Sequence, residues 1–177
     1  MRYYLAFLPS QGVQTYCEAF LKEIKREFNL QNVNQRSIPH VTLKNPFELS
    51  SPRVLEEYLI DFVRKKEPPL MNIKGFSNFD QNVLYLEVVP SHEMFLQFEK
   101  LINGLRQLRE VGWSEHDGLR KKLHVTVAKG IRSNFKEVWN YASKFRPNFL
   151  ESFNNISILE KTVDRGPIIR SSYLFDP

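Results

Sequence analysis

Two short segments of this 177-residue chain carry side chains able to pass a proton in either direction at neutral pH. They read Pro39-His40-Val41-Thr42-Leu43-Lys44 and Leu123-His124-Val125-Thr126-Val127-Ala128-Lys129, and both contain His-x-Thr followed by an apolar residue. On a strand, successive side chains alternate between faces. His40 and Thr42 therefore share one face and Val41 and Leu43 the other, and the same holds for His124 and Thr126 against Val125 and Val127. A single such tetrapeptide would read as a partly exposed strand. Two copies in which the polar positions recur with the apolar ones point to chemistry. Two imidazoles facing each other across a groove suit phosphodiester cleavage, because one takes a proton from the attacking oxygen while the other protonates the departing one. The threonine hydroxyls would donate to non-bridging phosphate oxygens and stabilise the charge of the transition state. Two His and two Thr offer only two good metal ligands, and no His-Glu-x-x-His or paired-cysteine pattern occurs, so neither a metal nor another cofactor is expected.

The elements that must position these residues follow from periodicity. Residues 2 to 8 are aromatic and apolar and stop at Pro9-Ser10, as a buried strand would. Val13, Tyr16, Cys17, Phe20, Leu21, Ile24 and Phe28 recur at helical spacing over residues 11 to 28. Polar turn residues from Asn29 to Ser37 lead to a strand over Ile38 to Lys44, and Ser50-Ser51-Pro52 opens a second helix. Leu70 to Phe79 and Val83 to Val89 are predicted strands joined in a hairpin. The order then recurs: a strand ending at Pro90-Ser91, a helix with stripe Met94, Phe98, Leu101, Ile102 and Leu105, a loop from Glu110 to Lys122, the second motif strand, and a helix from Ser133. The Pro-Ser pairs are 81 positions apart and the motif histidines 84. That agreement predicts an internal duplication, each half running strand, helix, strand, helix, strand, with a last hairpin around Asp164-Arg165-Gly166-Pro167. Half-lobes of about 80 residues would bury too little surface alone. The expectation is one bilobal α+β domain over residues 1–177, with two mainly antiparallel sheets lining a central cleft and helices outside.

These residues and their layout resemble the two-histidine (2H) phosphoesterase superfamily, whose mark is a pair of His-x-Thr/Ser-apolar motifs separated by roughly half the chain. The likeness extends over the whole chain and is strongest to the bacterial RNA 2′,3′-cyclic phosphodiesterase and 2′-5′ RNA ligase-like members. It implies a cleft between two sheets, metal-independent catalysis, and a substrate with a 2′,3′-cyclic phosphate or a 2′-5′ linkage at an RNA end or nucleotide. It further implies His40 and His124 as acid and base, in either order, and Thr42 and Thr126 as phosphate holders. ATP-independent ligation of a 2′-5′ bond would be the same chemistry in reverse. Five residues after the motif histidine many relatives place Arg; here Lys129 keeps the charge without the bidentate fork.

Further residues could serve the same groove. Arg120, Lys121, Lys122, Lys129 and Arg132 form an acid-free basic stretch, and Lys44 adjoins the first motif, so a polyanion could be steered to this end. Lys44, Lys129 and Tyr173 are expected at the substrate. Phe47, Phe79 and Trp113, like Tyr173, are placed where a nucleobase could stack. His92 and His116 read as surface histidines. Lys and Arg number 25 against 20 Asp and Glu, a net charge of +5 compatible with an anionic partner. The lone Cys17 excludes an internal disulfide. With no membrane-length apolar run and too short an opening apolar stretch for a secretory signal, a cytoplasmic, monomeric protein without a membrane partner is expected. The competing readings are a non-catalytic RNA or nucleotide binder that keeps the cleft, and a purely structural domain.

Overall fold

The computed structural model describes residues 1–30, 33, 38–162 and 166–176. Along them run β1 (Arg2–Phe7), α1 (Gln11–Glu27), β2 (Val41–Glu48), α2 (Arg53–Val63), β3 (Leu70–Phe79), β4 (Val83–Pro90), α3 (His92–Leu105), β5 (His124–Lys129), a 3-10 turn (Arg132–Asn134), α4 (Phe135–Ala142), β6 (Asn148–Ser152), β7 (Asn155–Glu160) and β8 (Ile168–Leu174). Most of the polar turn expected at 29 to 37, and residues 164 and 165 of the last hairpin, lie outside the described residues. The strands of that hairpin, β7 and β8, do pair antiparallel.

The fold is α+β. Among the described residues its eight strands follow the order β6-β3-β4-β5-β2-β1-β7-β8. The two expected sheets are the halves β6-β3-β4-β5 and β2-β1-β7-β8 of this curled arrangement, joined between the motif strands at one pair, Val41↔Val125. One departure from a simple repeat concerns β3. The turn after it, residues 80–82 between the paired Phe79 and Val83, places both Asp80 (φ 49°) and Gln81 (φ 51°) in the left-handed region and is closed by the Asn82 N–H donating to the Phe79 carbonyl at 2.9 Å. β3 consequently pairs with β4 from Met71 to Phe79 and joins the second half rather than the first.

Helices cover one face of the sheet. On that side Tyr3, Leu5, Phe7, Val41, Leu43, Val125, Ile156 and Ile158 belong to one continuous core. α1 contributes Val13, Cys17, Phe20, Leu21 and Ile24, as its periodicity predicts. Phe20 reaches across to the second half, with ring centroids 4.5 Å from Phe76 and 5.4 Å from Phe145. Burial of an aromatic of this kind is worth about 1.5–3 kcal/mol, so the halves share one core energetically. The two Pro-Ser copies are used differently. Ser91 caps α3 by accepting from Met94 N at 3.1 Å, whereas Ser10 donates its N–H and hydroxyl to the buried Glu151 carboxylate of β6, at 2.8 and 2.7 Å. Among the described residues no helix is long and apolar enough to cross a membrane.

Candidate active site

The face opposite the helices carries the chemistry. Val41 and Val125 point into the core as a directly opposed antiparallel pair, so their neighbours point the other way. Continuing this register sets His40 across from Thr126 and Thr42 across from His124. The two histidines are thus diagonal neighbours on one face, about 7–8 Å apart by strand geometry with their Cβ atoms somewhat closer. That separation leaves room for one tetrahedral anion between the rings.

Each imidazole is locked by its own chain. His40 Nδ1 lies 2.8 Å from the carbonyl of Ile38, and His124 Nδ1 lies 2.9 Å from the carbonyl of Lys122. A carbonyl can only accept, so Nδ1 carries the proton in both rings and the neutral tautomer offers Nε2 as a base. Protonated, the same Nε2 is an acid. The pKa of each ring is lowered from 6.5. For His40 burial is the main cause, opposed by the Ile38 carbonyl and reinforced by His124. For His124 burial again leads, opposed by the Lys122 carbonyl and reinforced by the cations of Lys121 and Lys122. Burial thus biases both rings toward the neutral form, which can accept a proton.

Different aromatics flank the two rings. Tyr4, buried with Ala6 and Leu159 on this face, has its ring 5.4 Å from that of His40. Phe79 meets His124 edge-on at 4.9 Å, and Tyr85 lies 5.0 Å away. Glu87 pairs with Lys122 at 2.8 Å beside them. Of these, only Phe79 stands out in the sequence reading. Tyr4 and Tyr85 sit within apolar runs whose alternation does not distinguish groove from core, and the two carbonyls leave no trace in residue type. A groove of about 790 Å³ opens beside His124, bounded by Asn45, Pro46 and Phe79 and by the loop over residues 114 to 122. Among the described residues no three His, Cys, Asp or Glu side chains converge to hold a metal ion.

Two expected substrate contacts are corrected. Lys44 is turned away from the groove: its side chain is 1% exposed and bonded at 2.8 Å to Asp117, itself 1% exposed. The cause is a bulge. Thr42 pairs with Ala6 but Lys44 with Leu5, so Leu43 is passed over and Lys44 follows it into the core side. There its ammonium rests 4.9 Å from the Phe47 ring and 4.8 Å from that of Trp113, which accounts for both aromatics. Tyr173 is opposite the core residue Ile156 and packs against the core on the α2 side, its hydroxyl accepting from Ser171 at 3.2 Å. Parity puts Ser172, not Tyr173, on the groove face, where it meets Ser157 at 2.8 Å. A matching bulge in β5 passes over Val127 between Thr126↔Tyr85 and Ala128↔Leu84. It brings the exposed Lys129, opposite Val83, back to the face of His124 and Thr126.

A sequence profile of the 2′-5′ RNA ligase superfamily matches residues 14–165, both motif strands included. The chain belongs to this superfamily of 2H phosphoesterases. A presumed phosphoesterase of Bacillus pumilus is 30% identical to this superfamily member over 128 residues, 70% of this chain and 71% of that one. Among solved structures, TT0787 of Thermus thermophilus superposes with a TM-score of 0.62 at 16% identity, covering 99% of this chain and 98% of that one. LigT of E. coli, solved with 3′-AMP, gives 0.61 at 11% identity over the same shares. At such identities the structural likeness establishes the shared fold.

Proposed function

We propose that this 2H phosphoesterase is a metal-independent cyclic phosphodiesterase that opens 2′,3′-cyclic phosphates of RNA ends or nucleotides. The observation that carries the reading is the pair of imidazoles on one face, each with Nδ1 committed to a backbone carbonyl two residues earlier. That leaves two Nε2 atoms for one phosphate. In the step, a water oxygen bonds to phosphorus as the bond from phosphorus to one ribose oxygen breaks. One Nε2 takes the water proton, and the other, already protonated, gives its proton to the departing ribose oxygen. Thr42, Thr126 and Lys129 hold the non-bridging oxygens, and the anion so bound raises the pKa of the ring that must be protonated. The reverse reaction would join a 2′,3′-cyclic end to a hydroxyl without ATP. Capture of 3′-AMP by LigT accords with a nucleotide ligand.

The test is turnover of a nucleoside 2′,3′-cyclic phosphate in the presence of a chelator. His40→Ala and His124→Ala should each lower kcat/KM by about 10²–10⁴. Undiminished turnover in either variant would remove that ring from the mechanism.

A further inference from the structure

Resting on the phosphodiesterase reading, we propose that the groove beside His124 is a second anion subsite. It would take a phosphate on the 5′ oxygen of the nucleoside whose cyclic phosphate is opened, so that 5′-phosphorylated or 5′-extended ends are preferred over plain mononucleosides. The volume of about 790 Å³ suits a nucleotide-sized ligand. His124 and Phe79 stand at one part of the lining, and Arg2, Arg120 and Lys121 at others.

The charge balance of this groove is one-sided. Four cations, Arg2, Arg120, Lys121 and Lys122, line it against two acids, the exposed Glu115 and Asp117, and Asp117 is already bonded to Lys44 at 2.8 Å. Lys122 is answered by Glu87. Among the described residues no carboxylate lies within ion-pair distance of Arg2, Arg120 or Lys121. These cations project a positive field into a concave space that starts at a proposed catalytic ring.

Lys121 is also held in place. Its ammonium donates to Asn45 Oδ1, and the Asn45 backbone N–H donates to Asp117 at 2.9 Å. Asp117 in turn accepts from Ser114 N at 2.8 Å, strapping the basic loop to β2. A cation ordered before binding loses less entropy when it captures an anion than a free surface lysine does. On the other side of the seam, the His40 ring lies 5.4 Å from that of Tyr4, which is buried with Ala6 and Leu159. With the cyclic phosphate between the rings, the 5′ oxygen carries the next phosphate of the same nucleoside, and the His124 side is where charge awaits it.

The experiment compares cytidine 2′,3′-cyclic phosphate, the same compound with a 5′-phosphate, and a dinucleotide ending in the cyclic phosphate. The readout is the ratio of their kcat/KM values, in wild type and in Arg120→Gln/Lys121→Gln, with thermal melting as a check of folding. A charge-assisted contact predicts a wild-type preference of about tenfold or more for the 5′-substituted substrates, weakening with salt. In the double variant the ratio should come within about two-fold of one. Calorimetric binding of cytidine 3′,5′-bisphosphate against cytidine 3′-monophosphate provides a readout independent of turnover. A bisphosphate advantage that vanishes in the variant supports the subsite even if no substrate is turned over, in which case the phosphodiesterase reading fails alone. A gain for the 5′-phosphate but not the dinucleotide supports the subsite and assigns it to a terminal phosphate; a gain for both assigns it to an RNA strand. Equal affinities and equal kcat/KM values in wild type, or a preference undiminished in the variant, would overturn the proposal.

Discussion

Replacing Lys44 by Met removes one charge from a buried pair while refilling the slot between Phe47 and Trp113 with a side chain of similar length. Both partners are 1% exposed, so Asp117 is left without its counter-charge in a site water does not reach. Breaking such a pair costs about 3–5 kcal/mol. Here the low end applies, because Asp117 still accepts from Asn45 N at 2.9 Å and from Ser114 N and Oγ at 2.8 and 2.9 Å. The expected loss is about 3 kcal/mol, a large share of the usual 5–15 kcal/mol of a domain. Asp117→Ala should cost more, since it leaves the buried Lys44 ammonium without its counter-charge and deprives the part-buried Asn45 N–H of its acceptor at about 1–3 kcal/mol. Urea unfolding at pH 7 measures both, with unchanged m values confirming two-state comparison. The pH dependence supplies a second check. Burial raises the Asp117 pKa, but the Lys44 ammonium and the Asn45 and Ser114 donors outweigh it and hold the carboxyl below its ordinary value. A depressed carboxyl contributes stability above its unfolded pKa of about 3.9 and loses it as pH falls through the folded value. The gap between wild type and Lys44→Met should therefore be full at pH 7 and narrow in acid. A loss below about 1 kcal/mol, the range of an exposed ion pair, or a gap independent of pH, would refute the account.

Other outcomes follow from the same geometry. With both imidazoles held below 6.5, and one protonated ring required, kcat/KM for a cyclic phosphate should peak on the acid side of that value; a maximum on the alkaline side would contradict it. Lys122→Gln removes one cation that depresses His124, and should move one limb of the profile to higher pH. Thr42→Val keeps the side-chain shape and deletes the hydroxyl, for a loss of about 10²–10³ in kcat at unchanged melting temperature. Glu151→Ala removes the acceptor of both Ser10 donors at the start of α1 and should cost about 1–2 kcal/mol in urea unfolding.

Local residue order determined much of this protein. Apolar residues at spacings of three and four fixed α1 and α3, because a helix buries one stripe whatever it packs against. The duplicated His-x-Thr placed imidazole and hydroxyl on one side of each motif strand, because neighbouring side chains on a strand alternate. Tertiary structure decided what alternation alone does not carry. A bulge adds one residue opposite a partner strand and reverses parity beyond it, which sent Lys44 to Asp117 and returned Lys129 to the groove side. Tyr173 faces α2 because β8 takes its register from β7. The hairpin of β3 with β4 is legible in the sequence, but that β3 thereby leaves the first half for the second is seen only in the sheet order. The pairing of Val41 with Val125, remote in sequence, brings the two histidines together, since no local preference chooses a partner across more than 80 residues of chain.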